Sequence, residues 1–413
     1  MALIKIIALI ITIALPQIEA AGQVKAIRFG TLVDGKGGVI NDAVVLVLGN
    51  RIQRVGIGDS AVPVDTEVEI IDLRPLTGIP GLIDVHTHLT YGPSPGRGRL
   101  AAESMFLGQE AAIKTLESGV TTVRDMNASQ YTDIAMRRLI KNGHMVGPRM
   151  FVVGYGLSVT RSSTGVPSIR TADSAAEIRR IVRRNIAAGV DWIKVFGSTG
   201  SGQDVTGFQT FTFEEMKVAV DTTHALGRPI AIHSYGPEGA QAAVKAGADS
   251  LEHATDLYDE TIAEMVRRGT FYVPSIDHNR YYLENGEYLG YATGYKERLS
   301  NFIERNLDTA RRAHAAGVRF AMGSDAIYTM FGENTRELEW FVKAGMTPEE
   351  ALETATKNGA EMLRMEDEIG AVASGYYADM VAVDGDPLKN INAILTGVRW
   401  VMKDGEVVVD KIK

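Results

Sequence analysis

Between Gly81 and about Leu363 the chain repeats one pattern eight times: a short apolar run, then a helical stretch. The runs are LIDVHTH, VTTVRD, MFVVGY, DWIKVF, PIAIHS, DSLEHA, TFYVP and VRFAMGSD. Four to eight residues rich in branched side chains suit a buried strand. Amphipathic segments such as 101–118, 174–188, 213–226 and 295–316 lie between them. Many close on glycine, in ESGV, AAGV, KAGA, RRGT and HAAGV, and each hands over directly to the next run. Glycine just past a helix is the expected C-cap. Strands that alternate strictly with helices make parallel βαβ units, and eight of them predict an α/β fold, a (β/α)8 TIM barrel.

Both ends of the chain read differently. VKAIRFGTLVDG, AVVLVLGN and RIQRVGIG precede the barrel; ADMVAVDGDPL and GVRWVMKDGEVVVD follow it. These are short branched runs broken by Gly, Asn and Asp turns, and Asp404-Gly405 is a strong hairpin signal. The expectation is a small β-sandwich domain built from residues 21–79 and 369–413, with the barrel over 80–368 inserted between them. Residues 1–20 read as a signal peptide: Lys5, the apolar run Ile6–Leu15, the break at Pro16, and small residues Ala20-Ala21. The alternatives are a buried N-terminal helix or an uncleaved anchor. Export to the periplasm or medium is expected, with no stable membrane association after cleavage.

A net charge of −8, spread along 413 residues without a long basic cluster, argues against nucleic acid as a partner. The chain has no cysteine. Disulfides and thiolate-bound zinc are excluded, so any metal must be held by His, Asp, Glu or a modified residue.

In a barrel of this kind the active site lies at the C-terminal ends of the strands. Run one ends in His86 and His88, run five in His233, run six in His253 and run eight in Asp325. Residues i and i+2 of a strand share a face, so His86 and His88 project together. Four histidines and an aspartate at one end of four strands predict a metal centre. Lys194 stands inside the apolar run DWIKVF, where a buried ammonium is costly. Either it pairs with a carboxylate such as Asp325, or its amine has reacted with carbon dioxide. The resulting carbamate carries one oxygen for each of two metals, and desolvation favours the neutral amine that forms it.

Taken with PGLIDVHTH at 80–88, Lys194, His233, His253, GSDA around Asp325 and the C-terminal IGAVASGYYADMVAVDGDPL, the chain resembles the amidohydrolase superfamily over nearly all of its length. GVTTVRDMN, GPRMFVVG and SLEHATDL resemble the branch of Xaa-Pro dipeptidases, carboxypeptidase-like dipeptidases and ochratoxin-type amidases. That branch is often called imidazolonepropionase-like. True imidazolonepropionases use one metal and lack the bridging lysine, so Lys194 argues against that reaction. The resemblance implies two divalent ions, zinc by default, with manganese or cobalt also suited to the ligands. It places His86, His88 and Asp325 on the more buried ion, His233 and His253 on the more exposed one, and carboxylated Lys194 between them. It makes Asp325 the proton shuttle and implies a homo-oligomer.

Tyr235, two residues after His233, is placed to stabilise the oxyanion. Substrate contacts are expected from the loops. Arg161 follows strand three; His278, Arg280, Tyr281 and Tyr282 belong to a long aromatic loop after strand seven that reads as a lid. Either arginine could pair with a substrate carboxylate. His144, His224 and His314 lie away from the strand ends and read as structural. Several dipeptidase relatives carry Gly-Gly-His after strand three; Thr160–Gly165 has no histidine, which leaves dipeptide specificity open. The expected reaction is hydrolysis of the amide of a small-molecule dipeptide or N-acyl amino acid. A lactone, carbamate or phosphotriester is the alternative substrate for the same metals.

Overall fold

The computed structural model describes residues 23–63, 67–90, 100–160, 169–202 and 204–412. The expected signal peptide lies outside them. Eight strands stand where the eight apolar runs predict them: Leu82–Thr87, Val120–Asp125, Arg149–Val152, Ile193–Phe196, Ile230–Ser234, Ser250–His253, Phe271–Val273 and Arg319–Phe320. All pair in parallel, in one group of three and one of five. Two bridges join the groups into a ring: Leu157 with Val195, and Thr87 with Ala326. The eighth strand keeps only two ladder residues. Beyond Phe320 the chain stays alongside strand one through Val85 N–H to Met322 O at 2.9 Å and Asp325 N–H to His86 O at 2.7 Å. This closes a TIM barrel.

Helix boundaries follow local chemistry. Ser174 caps Ala175–Ala188 by accepting from Glu177 N–H. Thr212 and Glu215 form a reciprocal capping box at the start of Phe213–Ala225. Gly189, Gly247 and Gly269 end their helices at φ 97, 103 and 70°, a left-handed turn that L-residues resist. The segment after strand seven departs from expectation. Ile276–Asn285 is a helix, not an open loop. Its first two amides donate to Glu337, 61 residues downstream, so its start depends on a partner that the local pattern does not contain.

Seven strands from both termini form the second sheet, in the order Glu406–Asp410, Val398–Lys403, Met380–Val383, Val68–Pro80, Val24–Val33, Val39–Leu48, Arg51–Ile57. The two ends of the chain meet where Met380–Val383 pairs antiparallel with Val68–Pro80. The sheet curls onto itself as a small β-sandwich around Phe29, Val45, Ile52, Trp400 and Met402. Its far edge is tied back by Ile52 N–H to Tyr376 O and Ala378 N–H to Asn50 O, both 2.9 Å.

This sandwich docks against the N-terminal end of the barrel. Arg149, opening strand three, pairs with both Asp379 and Asp404, and its guanidinium lies 4.2 Å from the Tyr377 ring centre. At Gly81, where the sandwich strand passes into the barrel, a Cβ would come within 2.2 Å of Thr121 Oγ1 and 2.9 Å of Asp379 Cβ. Only glycine fits that crossing. No helix among the described residues is long and apolar enough to cross a membrane.

Candidate metal centre and active site

The docked sandwich leaves the C-terminal end of the barrel open, and there the strands deliver their polar residues. His86 is the last but one residue of strand one, and His88 follows the strand, with their ring centres 5.4 Å apart. His253 ends strand six, 4.9 Å from His86 and 4.6 Å from His233, between ring centres. Asp325 completes the group: Oδ1 lies 2.9 Å from His88 Nε2 and 3.5 Å from His86 Nε2, and Oδ2 lies 3.8 Å from His253 Nδ1. His253 and Asp325 both sit at positive φ, 71 and 52°. This left-handed backbone, uncommon outside glycine, turns both side chains back over the barrel mouth.

The chemistry of this group fits a metal ion. Ligand atoms of His86, His253 and Asp325 all lie within 4.8 Å of one another. His86 Nε2, His233 Nε2 and His253 Nδ1 are buried and make no hydrogen bond among the described residues. Orphaned buried nitrogens are costly, and converging ones are ligands waiting for a cation. Burial holds the His86 and His253 imidazoles well below the usual histidine range and pushes His233 down to about 3; Lys194 and neighbouring histidines push in the same direction. All three are therefore neutral, the form that binds metal. Burial alone would raise the Asp325 carboxyl, but His278, His86 and His88 outweigh it and hold it below the ordinary carboxylate range. It is an anionic ligand.

A second layer orients the first. Glu252 Oε2 lies 2.7 Å from His86 Nδ1, which assigns the ring proton to Nδ1 and leaves the Nε2 lone pair facing Asp325. Glu252 is itself held by Arg124 Nη2 at 2.8 Å and by the Ser250 hydroxyl at 2.5 Å, all fully buried. Asp84 accepts from Ser324 N–H at 2.9 Å, the Ser324 hydroxyl at 2.5 Å and Asn334 Nδ2 at 2.9 Å, fixing the turn that carries Asp325.

The remaining expected residues divide clearly. Lys194 is 1% exposed and lines the same cavity of about 390 Å3 as the histidines. Burial lowers its amine to about 8, against the opposing pull of Glu252 and Asp325. The ion pairs of Asp325 run to histidines, and none among the described residues reaches Lys194. Tyr235 also lines the cavity, its ring stacked with His233 at 5.2 Å and with Phe302 at 5.0 Å. Burial raises its hydroxyl well above 10, so it stays a protonated donor.

His278 lines the same cavity and touches Asp325. Its Nδ1 lies 2.8 Å from Asp325 O and its Nε2 3.2 Å from Asp325 Oδ2. Tyr282 lines the cavity with its ring edge-on to His278 at 4.7 Å. Arg280 does not line it. Its guanidinium pairs with Asp277, Glu284 and Glu333 instead. The helical period contains that signal: Asp277 and Glu284 are i−3 and i+4 to Arg280. Tyr281 turns into a neighbouring pocket, its hydroxyl 2.9 Å from Thr329 Oγ1. Arg161 lies outside the described residues. His224 pairs with Asp249 at 2.7 Å, away from the site.

Sequence reasoning missed Glu252 and Asn279. Glu252 reads as one more strand residue beside His253. Asn279 is buried beside the Tyr235 hydroxyl and pulls it down against the larger effect of burial. Nothing local marks either one.

A TIM barrel with neutral imidazoles and a carboxylate converging at its C-terminal mouth defines a metal-dependent hydrolase. The chain belongs to the Amidohydrolase family, whose profile matches residues 77–408. A solved Xaa-Pro dipeptidase with methionine bound in its active site is 31% identical, over 93% of this chain and 99% of that one, with a TM-score of 0.86. Ochratoxinase from Aspergillus niger is 29% identical over 93% of this chain and 86% of its own length. Its crystal structure matches with a TM-score of 0.81 at 26% identity, over 94% of this chain and 96% of that one. Imidazolonepropionase from Streptomyces avermitilis is 26% identical, over 84% and 82% of the two chains.

Proposed function

We propose that this hydrolase cleaves the amide bond of a dipeptide or N-acyl amino acid, using two divalent ions bridged by Lys194 as a carbamate. The observation that carries the reading is the Lys194 amine, buried in one cavity with orphaned imidazole nitrogens and lowered to about 8. A neutral amine adds to dissolved carbon dioxide through its lone pair and releases one proton, turning a costly cation into a ligand anion. His86, His88 and Asp325 would hold one ion and His233 and His253 the other. Bound there, the ions supply a water acidified towards neutral pH and polarise the substrate carbonyl. Zinc suits this nitrogen and oxygen set, as do manganese and cobalt.

The chain's own residues do the rest. Asp325 accepts the proton of the attacking water and passes it to the departing nitrogen. The Tyr235 hydroxyl donates to the carbonyl oxygen as it gains charge. Glu252 keeps His86 in its ligating tautomer through both steps. The likeness to a Xaa-Pro dipeptidase and to ochratoxinase supports an amide substrate. The reading also includes export, which rests on Lys5, the run Ile6–Leu15 and Ala20-Ala21, and a homo-oligomer, which rests on the family resemblance.

The test is metal content and substrate range together. Wild type reconstituted with zinc and bicarbonate should hold about two ions per chain, as two-metal hydrolases do. It should cleave N-acyl amino acids or dipeptides in preference to lactones, carbamates and phosphotriesters. Lys194→Ala should lose metal and activity together, with partial recovery of both on adding a short carboxylic acid. One tightly held ion in both proteins, with activity intact in the variant, would leave a mononuclear enzyme.

A further inference from the structure

Arg124 is fully buried in a barrel whose interior is ordinarily filled by branched aliphatic side chains. Each of its three side-chain nitrogens has a partner. Nε donates to Val85 O at 2.6 Å, Nη1 to Ser250 Oγ at 3.2 Å and Nη2 to Glu252 Oε1 at 2.8 Å. Its guanidinium carbon lies 4.4 Å from the Trp192 ring centre. Arg124 belongs to strand two, Val85 to strand one, and Ser250 and Glu252 to strand six. One side chain ties three strands together from within.

As a source of stability, an ion pair in this position is a poor choice. Both charges lose their hydration, and exchanging both for apolar groups of similar volume is often neutral or stabilising. Its surroundings give it another task. Val85 immediately precedes His86, so the Nε bond fixes the backbone that carries this ligand. Glu252 divides its oxygens. Oε1 accepts from Arg124 and from the Ser250 hydroxyl, and Oε2 is left for His86 Nδ1 at 2.7 Å. Arg124 thereby holds His86 twice, through its main chain and through its ring. Its own hydrogen bonds among the described residues reach none of the proposed ligand side chains.

We infer that Arg124 is a positioning residue of the metal centre: by locking Glu252 and the Val85 carbonyl, it sets how tightly His86 binds the ion. The inference rests on the metal centre alone, and on neither the amide substrate nor the number of ions. It makes a residue outside the ligand set a determinant of metal affinity.

The experiment measures three quantities: zinc affinity by competition with a chromophoric chelator, the absorption spectrum of the cobalt-loaded protein, and the melting temperature of the metal-free protein. Arg124→Met should bind zinc roughly 10- to 100-fold more weakly, the usual effect of removing a group that orients a metal ligand. It should also melt lower, because Glu252 is left as an unpaired buried charge. Adding Glu252→Gln removes that charge. The double variant should regain melting temperature, keep the weak zinc binding and show a cobalt spectrum shifted from wild type. Arg124→Lys restores the charge without the planar fork and should recover part of the affinity. Zinc affinity that returns in the double variant together with stability would make the pair purely structural and overturn the role. Wild-type affinity in Arg124→Met would overturn it as well. If Arg124→Met does not fold, the double variant and Arg124→Lys decide on the same terms. Failure of every amide substrate leaves these measurements untouched. Wild type that binds neither zinc nor cobalt would remove the metal centre itself, and this role with it.

Discussion

At the scale of single residues, burial does most of the chemical work. Three histidines are neutral because the barrel mouth desolvates them, and Lys194 is lowered by the same cause. Tyr235 is the clearest residue to test. Its ring stacks on His233 and Phe302, so Tyr235→Phe keeps the packing and removes only the hydroxyl. Loss of one oxyanion donor lowers kcat by roughly 10²–10³-fold. We expect that loss on the best amide substrate, with metal content unchanged by elemental analysis. An unchanged kcat would leave the oxyanion to other groups.

At the scale of elements, the helix Ile276–Asn285 is the part whose behaviour is least local. It presents His278 to Asp325 and Tyr282 to the cavity, and its first amides rest on the buried Glu337 at 2.8 and 2.9 Å. Burial, with Asp277 and Asp84 nearby, raises the Glu337 carboxyl from 4.5 to about 8 in the folded protein, while its amide bonds pull the other way. The folded state therefore binds a proton that the unfolded chain releases near 4.5. This contribution to stability is complete below that pH and is lost as pH rises through about 8. Glu337→Gln keeps an acceptor oxygen and cannot titrate. In urea unfolding at pH 5, 6.5 and 8, the difference between the two proteins should move in favour of the variant as pH rises. The slope should reach at most about 1.4 kcal/mol per pH unit. A difference that does not change with pH would show that Glu337 keeps one protonation state throughout.

At the scale of the whole molecule, stability and catalysis lie at opposite ends of one barrel. The N-terminal end is bolted to the sandwich by Arg149, which reaches Asp379 and Asp404, and the C-terminal end carries the ligands. Breaking a fully buried ion pair costs about 3–5 kcal/mol. Asp404 is partly exposed, so Arg149→Met should cost less, roughly 2–3 kcal/mol of unfolding free energy. Below its melting temperature the variant should keep wild-type kcat/KM. A selective loss of activity with the melting temperature unchanged would show that the clamp reaches the active site.

The sequence by itself determined the barrel, because the 3.6-residue and two-residue periods and the capping glycines are local signals that need no partner. It also determined His86, His88, His233, His253 and Asp325 as neighbours, because parallel strands in a ring must bring their C-terminal ends together. What only the tertiary structure decided are contacts made across long stretches of chain. Glu252 finds His86 166 residues earlier, and Glu337 finds the amides of Ile276 and Asp277. Arg280 meets Asp277 and Glu284 within its own helix, but Glu333, 53 residues on, reaches it only through the fold. Periodicity reports which way a side chain points. Which carboxylate it meets there is decided by packing, since hydrogen bonds and ion pairs act over a few ångströms regardless of separation along the chain.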